Sequence, residues 1–469
     1  MVGITSYGAY VPWHRLGSET KGWTAPTEKA VASFDEDSIT MAVAAAINCL
    51  DGLSREDIEA LYFASTTHPY KEKTNATIVS AAADLRSEAR TVDFSNSLRA
   101  GTMALQAGLD AVKGGSASRV LLAASDVRVP LPRSEFDPVL GDGAAALVIG
   151  DSRVAVEFED SCAISHEMLD VWRAEGDVFV RSWEDRFVLE EGYLKMLPEV
   201  ISRLMTRHNL SPQDLSKVIF YGPDSRRHQE VAKRLGFDLK AQVQDPLFSA
   251  MGNTGTAFAL MMLINSLEQA KPGDRILLAN YGDGADAFLF RVTEEIEAIK
   301  NKRGIQAQLE SKRILADYET YAVWHGLISK ALPQRRPPFR TPSPAAMLRE
   351  VGKNLRLHGT RCKNCGYTQY PPQRVCTRCH AKDEFEGYRF SDKKAKVFTY
   401  TMDNLGPTLD PPMVVAVIDF DGGGRSFSIM TDRDVSKLEI GMPVEMTFRK
   451  FYTSEGIHNY YWKCMPERA

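Results

Sequence analysis

Four cysteines in the last quarter of the chain have the spacing that most directly predicts chemistry. They are Cys362, Cys365, Cys376 and Cys379, two Cys-x-x-Cys steps separated by ten residues. Two such steps bring four thiolates to one tetrahedral centre, which suits Zn²⁺. Four protein ligands leave no coordination position open, so the sequence predicts a structural metal that holds together a ribbon too small for its own core. A redox pair or an iron site is the competing interpretation.

A turn between a predicted strand and a predicted helix is the second place where we expect chemistry. Residues 91–94 form a short apolar run typical of a buried strand. The chain from Arg99 onward has small apolar side chains on one helical face, and Ser95, Asn96 and Ser97 are natural helix caps. A side chain at this helix start lies near free N–H groups, which lower a thiol pKa and stabilise an oxyanion. The residue there is Leu98.

This turn resembles the nucleophile turn of the hydroxymethylglutaryl-CoA (HMG-CoA) synthase family, which is part of the thiolase superfamily. In that family the segment runs Asp-x-x-Asn-x-Cys-x-x-Gly-Thr, and this chain matches it at Asp93, Asn96, Gly101 and Thr102. The position of the family's nucleophilic cysteine falls on Leu98. Since an alkyl side chain cannot attack a thioester, the resemblance implies an intact scaffold that has lost its covalent step.

The other two reacting positions of that family also differ in this chain. The family glutamate, a general acid or base, corresponds to Thr66. The family histidine, which positions and activates the thioester, corresponds to Tyr221, and a lysine that follows it corresponds to Arg226. All three chemical groups of the family are therefore changed.

The residues now present still allow chemistry without a covalent intermediate. Tyr221 is a phenol whose ordinary pKa, near about 10, could fall beside Arg226. The Arg226 cation would stabilise an enolate or bind a CoA phosphate. Asn253 can donate to a thioester oxygen, and Thr66 and Ser97 could orient a hydroxyl group or a water molecule. We therefore predict Tyr221, Asn253, Thr66 and Ser97 as catalytic and Arg226 as CoA-binding.

No side chain in the sequence is a good replacement for the family's nucleophile. Ser97 and Cys162 are the candidates for a replacement nucleophile. Ser97 is one residue out of register, which turns its side chain roughly 100° away on a helical turn, and Cys162 lies in a strand-like stretch elsewhere. We expect His228 to be exposed to solvent and His68 to be structural.

The amino-acid composition indicates the general class of protein. The chain has 469 residues, 44% of them hydrophobic and 25% charged, as in an ordinary globular protein of more than one domain. A net charge of −4 gives no indication of a nucleic-acid partner. No apolar run reaches the roughly 18 residues that a membrane helix needs, and the first residues do not resemble a signal peptide. We expect a cytoplasmic protein without a membrane or nucleic-acid partner.

Strands and helices alternate over the first three hundred residues, which predicts a layered α/β fold with mainly parallel strands. A Gly-Asp-Gly-Ala step occurs twice, at 141–144 and at 282–285, and indicates an internal duplication. The resemblance implies the duplicated thiolase fold, a βαβαβαββ unit present twice, over residues 1–330. The aromatic stretch up to residue 330 would close that domain as a helix.

Residues 331–355 are predicted as a proline-rich linker and helix, with Pro333, Pro337, Pro338, Pro342 and Pro344. The zinc ribbon, of rubredoxin-like type, then covers 356–388. Residues 389–469 contain five short strand patterns separated by glycine-rich turns, which predict an all-β barrel of OB type. Ribbon plus barrel resembles the DUF35 family, whose members accompany thiolase-like proteins.

These inferences lead to one expected activity and three alternatives. We expect an acyl-CoA enzyme that makes or breaks a C–C bond β to a CoA thioester, of retro-aldol or retro-Claisen type, without an acyl-cysteine. The alternatives are an acetyl-CoA-dependent conversion of a β-keto acid to an acyl-CoA, a non-catalytic acyl-CoA-binding scaffold, and an HMG-CoA synthase. The resemblance also implies a homodimer formed through the thiolase-fold domain.

Overall fold

The computed structural model describes residues 1–300, 302–333, 341 and 343–468. Pro337, Pro338 and Pro342 of the predicted linker lie outside these described residues. The chain divides into two compact units. The first comprises 1–32, 37–80 and 85–318, and the second comprises 33–36, 81–84 and 319–469. Two short segments from the first hundred residues thus belong to the second unit.

The first unit contains fourteen strands within the described residues. They are β1 Gly3–Tyr10, β2 His14–Leu16, β3 Lys29–Val31, β4 Ala60–Ala64, β5 Arg90–Phe94, β6 Arg119–Asp126, β7 Gly143–Gly150, β8 Val156–Ser165, β9 Val171–Trp172, β10 Arg181–Ser182, β11 Lys217–Phe220, β12 Arg275–Tyr281, β13 Gly284–Val292 and β14 Arg313–Ile314. Its helices are α1 Ser38–Leu50, α2 Ala76–Ala82, α3 Ala100–Lys113, α4 Asp185–Val188, α5 Leu194–Arg207, α6 Ser225–Arg234, α7 Phe258–Leu267, α8 Ile296–Ile299 and α9 Gln306–Glu310. A π-helical turn covers Leu189–Tyr193, and 3₁₀ turns cover Arg55–Asp57, Pro212–Asp214 and Gly255–Ala257.

Nine of these strands form one sheet whose order shows the duplication. The order is β11-β12-β13-β8-β1-β7-β6-β4-β5. Read outward from the β1–β8 pair, β7-β6-β4 on one side matches β13-β12-β11 on the other, with the same parallel and antiparallel pairings. The counterpart of β5 is reduced to one bridge, between Val218 and Val243. The duplication inferred from the repeated Gly-Asp-Gly-Ala step is therefore visible in the strand order.

The expectation of mainly parallel strands is wrong for this sheet. Only β4–β5, β4–β6 and β11–β12 are parallel pairs, and the other five pairs are antiparallel. Parallel neighbours need a crossover helix, whereas a short turn joins antiparallel ones. The turn at Gly282 and Asp283 joins β12 directly to β13, and no helix lies between β6 and β7.

The central turn differs from its prediction in two ways. Strand β5 is an edge strand, and Val92 is 41% exposed, because the sheet provides a neighbour on one side only. The N-cap of α3 is Arg99, with no side-chain cap, rather than Ser95, Asn96 or Ser97. The Ser97 hydroxyl instead accepts a hydrogen bond from the Arg99 N–H at 3.3 Å. The chain therefore reaches the helix one residue later than expected, and Leu98 precedes its first turn.

The second unit contains a small ribbon sheet and a closed barrel. The ribbon strands are β15 His358–Cys362, β16 Thr368–Gln369 and β17 Phe385–Arg389, and the barrel strands are β18 Ala395–Asp403, β19 Met413–Phe420, β20 Arg425–Met430, β21 Pro443–Ser454 and β22 Ile457–Pro466. The barrel closes in the order β18-β19-β20-β22-β21. Every second residue of β19 is buried, as expected for a barrel wall.

Three short helices and one 3₁₀ turn complete the described elements. They are α10 Tyr318–Trp324, α11 Pro344–Arg349, α12 Val351–Asn354 and the turn Val435–Lys437. Helix α10 is shorter than the closing helix that the aromatic spacing predicted. Pro344 stands at the first helical position after the Ser343 N-cap, where a missing N–H costs nothing.

Candidate functional site

A cavity of about 410 Å³ in the first unit contains two of the predicted catalytic residues. Its polar lining includes Arg128, Asp170, Tyr193, Tyr221, Asn253 and Tyr281. Its apolar lining includes Phe136, Val139, Leu140, Val188 and Leu189. The cavity thus combines three phenols, one amide, a guanidinium and a carboxylate with an apolar wall.

Tyr221 follows the last residue of β11 and is held at both its backbone and its ring. Its N–H donates to the carbonyl oxygen of Ala279 at 3.1 Å, and its own carbonyl oxygen accepts from the Tyr193 hydroxyl at 2.9 Å. Its ring lies edge-on to Phe258, with centroids 5.8 Å apart, and 6.3 Å from the Tyr281 ring. These contacts fix the direction in which the phenol points.

Burial determines the proton affinity of the Tyr221 phenol. Burial raises its pKa above the ordinary value, the Arg128 guanidinium opposes this rise, and Asp170 adds to it. The predicted lowering of this pKa beside Arg226 is therefore wrong. A phenol in this environment keeps its proton at neutral pH, so Tyr221 is suited to donate a hydrogen bond or a proton rather than to accept one.

The Asn253 side chain is oriented by its own neighbourhood. Its Nδ2 donates to the carbonyl oxygen of Gly222 at 3.2 Å, and its Oδ1 accepts from the N–H of Gly255 at 3.0 Å. The Asn253 amide also acts to lower the pKa of the Tyr221 phenol. The two predicted residues therefore lie together on the cavity wall.

Thr66 is placed by an aspartate that the sequence analysis did not single out. One carboxylate oxygen of Asp126, the last residue of β6, accepts from the Thr66 N–H at 2.7 Å and from the Ser65 hydroxyl at 2.9 Å. Its other oxygen accepts from the Thr256 N–H at 2.8 Å. Asp126 thus ties the Thr66 turn to the segment that follows Asn253. Its position could have revealed Asp126 in the sequence, because it is a carboxylate at the end of a buried apolar strand.

Ser97 and Leu98 contact the turn between β12 and β13 and do not line the cavity. The Ser97 hydroxyl donates to the carbonyl oxygen of Gly282 at 3.3 Å, and the Leu98 carbonyl oxygen accepts from Asn280 Nδ2 at 3.1 Å. A side chain at Gly282 would lie 3.2 Å from the Cβ of Leu98. Leu98 is 7% exposed, so its alkyl group is buried beside the Gly282 turn.

Arg226 lies apart from the cavity. It is exposed near the start of α6, in a surface depression that it shares with Ser225, Gln229, Glu230 and Lys233. The neighbouring Arg227 lines the cavity instead.

The expectation that His228 is exposed is wrong. It is 3% exposed and stacks on Phe220, with ring centroids 4.3 Å apart. Burial lowers its pKa to about 4, so its ring is uncharged at neutral pH.

Asp170, Tyr281 and Arg128 are cavity residues that sequence reasoning missed. Asp170 lies between β8 and β9, and Arg128 follows β6 by two residues. Neither segment has a periodic pattern or a chemical motif that would mark it. Tyr281 ends β12 immediately before the second Gly-Asp-Gly turn, and that turn was a usable signal for it.

The four cysteines of the second unit lie together, as their spacing predicted. Their sulfur atoms are all within 4.8 Å of one another. The Cys362–Cys379 and Cys365–Cys376 sulfurs are each 3.6 Å apart. A tetrahedral zinc ion with Zn–S bonds of about 2.3 Å separates its sulfurs by about 3.8 Å, so these positions fit such an ion.

Comparison with known proteins identifies the domains of both units. Residues 205–291 match the family profile of the 3-oxoacyl-[acyl-carrier-protein] synthase III C terminus. Residues 349–386 match the ChsH2 rubredoxin-like zinc ribbon domain, and 388–449 match the ChsH2 C-terminal OB-fold domain. The predicted ribbon and OB barrel are thereby confirmed.

Solved structures define the class to which the first unit belongs. The structure titled MvaS in complex with 3-hydroxy-3-methylglutaryl coenzyme A has a TM-score of 0.62 at 20% identity, covering 73% of this chain and 94% of that one. 3-Oxoacyl-[acyl-carrier-protein] synthase III from Aquifex aeolicus has a TM-score of 0.56 at 21% identity, covering 62% and 100%. The nine-stranded duplicated sheet is therefore a thiolase fold, as predicted.

Curated relatives identify the family. Hydroxymethylglutaryl-CoA synthase of Methanopyrus kandleri is 33% identical over 337 residues, 68% of this chain and 96% of the relative. The corresponding enzyme of Methanosarcina mazei is 34% identical over 349 residues, 70% and 99%. The chain belongs to the hydroxymethylglutaryl-CoA synthase family, and the resemblance drawn from the Leu98 turn is confirmed. No helix among the described residues is long and apolar enough to cross a membrane.

Proposed function

We propose that this protein makes or breaks a C–C bond β to a CoA thioester without forming an acyl-cysteine. The observation that carries the proposal is the buried Leu98 at the nucleophile position of an otherwise intact family turn. Tyr221 and Asn253 remain on the cavity wall as hydrogen-bonding groups. Chemistry in this site must therefore use acids, bases and dipoles.

In a retro-aldol step the β-hydroxyl proton leaves to a base and the Cα–Cβ bond breaks. Its electron pair forms the enolate of the thioester, and the β-carbon becomes a carbonyl group. Asn253 and the protonated Tyr221 would donate hydrogen bonds to the thioester oxygen as negative charge develops there. Protonation of Cα then completes the shorter acyl-CoA. Thr66 and Ser97 remain proposed orienting hydroxyls that act from outside the cavity lining, and Thr66 Oγ1 is buried without a hydrogen-bond partner in the described chain.

HMG-CoA synthase activity is the second candidate because curated relatives with that name cover two thirds of the chain. The resemblance implies that this activity uses an acylated cysteine. The matching position in this chain is Leu98. Intact-mass measurement after incubation with acetyl-CoA separates the two candidates. An acylated protein would support the synthase, and an unmodified protein supports the proposal.

Turnover assays complete this test. A panel of β-hydroxyacyl-CoAs, and of β-ketoacyl-CoAs with water or free CoA as the attacking nucleophile, should be cleaved to a shorter acyl-CoA. Consumption of acetyl-CoA together with a β-keto acid would favour the acetyl-CoA-dependent alternative. Binding of acyl-CoA without any turnover would favour a scaffold.

Three supporting roles belong to the same proposal. The four cysteines would hold a structural Zn²⁺, since four thiolates leave no open coordination position. Arg226 would contact a CoA phosphate from its exposed position on α6, where Lys233 adds a second cation to the depression. A second copy of the chain would pair with the free side of β5, where Val92 is exposed.

A further inference from the structure

The buried phenol of Tyr221 leaves the proposed reaction without a base, and the cavity contains one other group placed for that task. We infer that Asp170 is the general base of this site, accepting the β-hydroxyl proton and returning it to Cα. This inference rests on the proposed function and names the residue that moves the proton.

Four carboxylates line the cavity, and their surroundings distinguish them. Asp224 is the N-cap of α6 and accepts from the Arg227 N–H at 2.9 Å. Asp185 is exposed and accepts from the Ser182 hydroxyl at 2.9 Å, and Glu135 is also exposed. Asp170 is partly buried, lines the cavity with the phenol Tyr281, and has its carboxyl pKa lowered by that phenol. Asp170 is therefore the carboxylate placed with the phenol cluster.

The Tyr281 hydroxyl, which lines the cavity with Asp170, is itself held in place. A Cβ on Gly192, in the π-helical turn, would lie 2.2 Å from this hydroxyl oxygen, so only glycine permits the approach. The Tyr281 N–H donates to Asn280 Oδ1 at 3.0 Å, and Asn280 Nδ2 donates to the Leu98 carbonyl oxygen at 3.1 Å. The Asn280 side chain thus connects Tyr281 to the position where the family places its nucleophile.

The surroundings of Asp170 make its carboxylate a stronger base. Burial raises the pKa of its carboxyl group, and Tyr281 and Arg128 oppose that rise. Asp283 and Asp185 are like charges that add to the rise. Tyr221 faces the same group as a neutral phenol. A carboxylate with a raised pKa is a stronger base than an exposed aspartate.

The proposed reaction balances in protons and electrons without a further reactant. The Asp170 carboxylate takes the hydroxyl proton, the Cα–Cβ electron pair becomes the enolate, and a carbonyl product leaves. Protonated Asp170 then gives its proton to Cα, which restores the carboxylate. The last step can also run in reverse, with the Asp170 carboxylate removing a proton from Cα. The α-protons of a simple acyl-CoA would then exchange with solvent.

The test measures deuterium incorporation into acetyl-CoA in D₂O, together with cleavage of the β-hydroxyacyl-CoA panel. We expect Asp170→Asn to slow both by about 10²-fold or more, with acyl-CoA affinity and the thermal midpoint unchanged. The wild-type rates should fall at low pH as Asp170 is protonated. This fall should be absent in Asp170→Asn. Asp170→Glu, which restores a carboxylate, should recover part of the rate. The matched control is Glu167→Gln, an exposed carboxylate in the same segment, which should exchange at the wild-type rate.

Each outcome decides one point. Exchange at the wild-type rate in folded Asp170→Asn overturns the assignment of Asp170 and leaves the proposed function standing. If Asp170→Asn is slow but its rate still falls at low pH as in the wild type, the assignment of Asp170 is also overturned, because another group would then be the base. A wild-type protein that neither exchanges α-protons nor cleaves the panel overturns the proposed function and this assignment with it.

Discussion

The Tyr193 hydroxyl donates a hydrogen bond of 2.9 Å to the carbonyl oxygen of Tyr221. Tyr193 ends a π-helical turn and Tyr221 follows a sheet strand, so this bond connects two elements that both line the cavity. The rings also meet edge-on at 6.2 Å. The direction of the Tyr221 phenol is thus determined by a residue 28 positions earlier in the chain.

Replacing Tyr221 by phenylalanine should lower turnover by about 10²-fold or more, because the proposed reaction loses its phenol donor. The Michaelis constant should change little, since the ring remains in its packing. Steady-state kinetics on a cleaved β-hydroxyacyl-CoA measures both quantities. Tyr7→Phe is the matched control because the Tyr7 hydroxyl is buried without a hydrogen-bond partner in the described chain. Unchanged turnover in Tyr221→Phe would rule the phenol out.

Incubation with acetyl-CoA should leave the intact mass of the wild-type protein unchanged. Leu98 has no nucleophilic atom, and the Ser97 hydroxyl donates to the Gly282 carbonyl oxygen with no histidine at the family's activating position. Mass spectrometry of the intact chain and of its peptides checks this. A peptide carrying an acetyl ester at Ser97 or a thioester at Cys162 would contradict the non-covalent proposal.

Metal removal should unfold the ribbon and lower the thermal stability of the protein. Atomic emission is expected to find one zinc per chain, and Cys376→Ser should lower this ratio because it removes one of four ligands. Cys464→Ala is the control, since Cys464 is equally buried in the barrel but lies outside the cysteine cluster. One bound zinc in Cys376→Ser, or iron in place of zinc in the wild type, would disprove the assignment.

Replacing Arg449 by methionine should destabilise the second unit by about 3–5 kcal/mol, because a broken buried ion pair leaves uncompensated charge. Arg449 is 1% exposed and pairs with Asp35 at 3.3 Å, Glu36 at 2.8 Å and Asp432 at 2.5 Å. Urea denaturation measures the change. Arg425→Met, which breaks an exposed pair with Asp419, should cost less than about 1 kcal/mol. Equal losses in the two variants would contradict this prediction.

The same cluster predicts a loss of stability in acid. Burial acts to raise the pKa of Asp35, but Lys463 and Arg449 outweigh it and hold that pKa below the ordinary value. The ionised carboxylate therefore stabilises the folded state above about pH 4, and this contribution disappears as the pH falls through the lowered pKa.

The buried Asp286 should make stability fall as the pH rises from about 4 to about 7. Burial raises its pKa to about 7, against the opposing effects of Arg99 and Thr102. In this window the folded state keeps a proton that the unfolded state has released, so each pH unit costs at most about 1.4 kcal/mol. Asp286→Asn should remove this slope in urea titrations at several pH values. The exposed Asp151→Asn should retain it.

The cysteine spacing and the alternation of strand patterns in the barrel were sufficient to predict the ribbon and the OB fold, whereas the lost nucleophile at Leu98 stays a prediction. These features depend on residues within one turn or one strand, where geometry follows from covalent spacing. The family resemblance at Asp93, Asn96, Gly101 and Thr102 supplied the thiolase fold, because a motif of matched residues carries information about the whole scaffold.

Only the tertiary structure decided which groups meet and how strongly they are charged. It placed Asp170 against Tyr281, turned Arg227 rather than Arg226 toward the cavity, and raised the pKa of Tyr221 by burying it. It also made β5 an edge strand. Burial, sheet order and contacts between distant segments arise from packing of the whole chain, and no local pattern of residues encodes them.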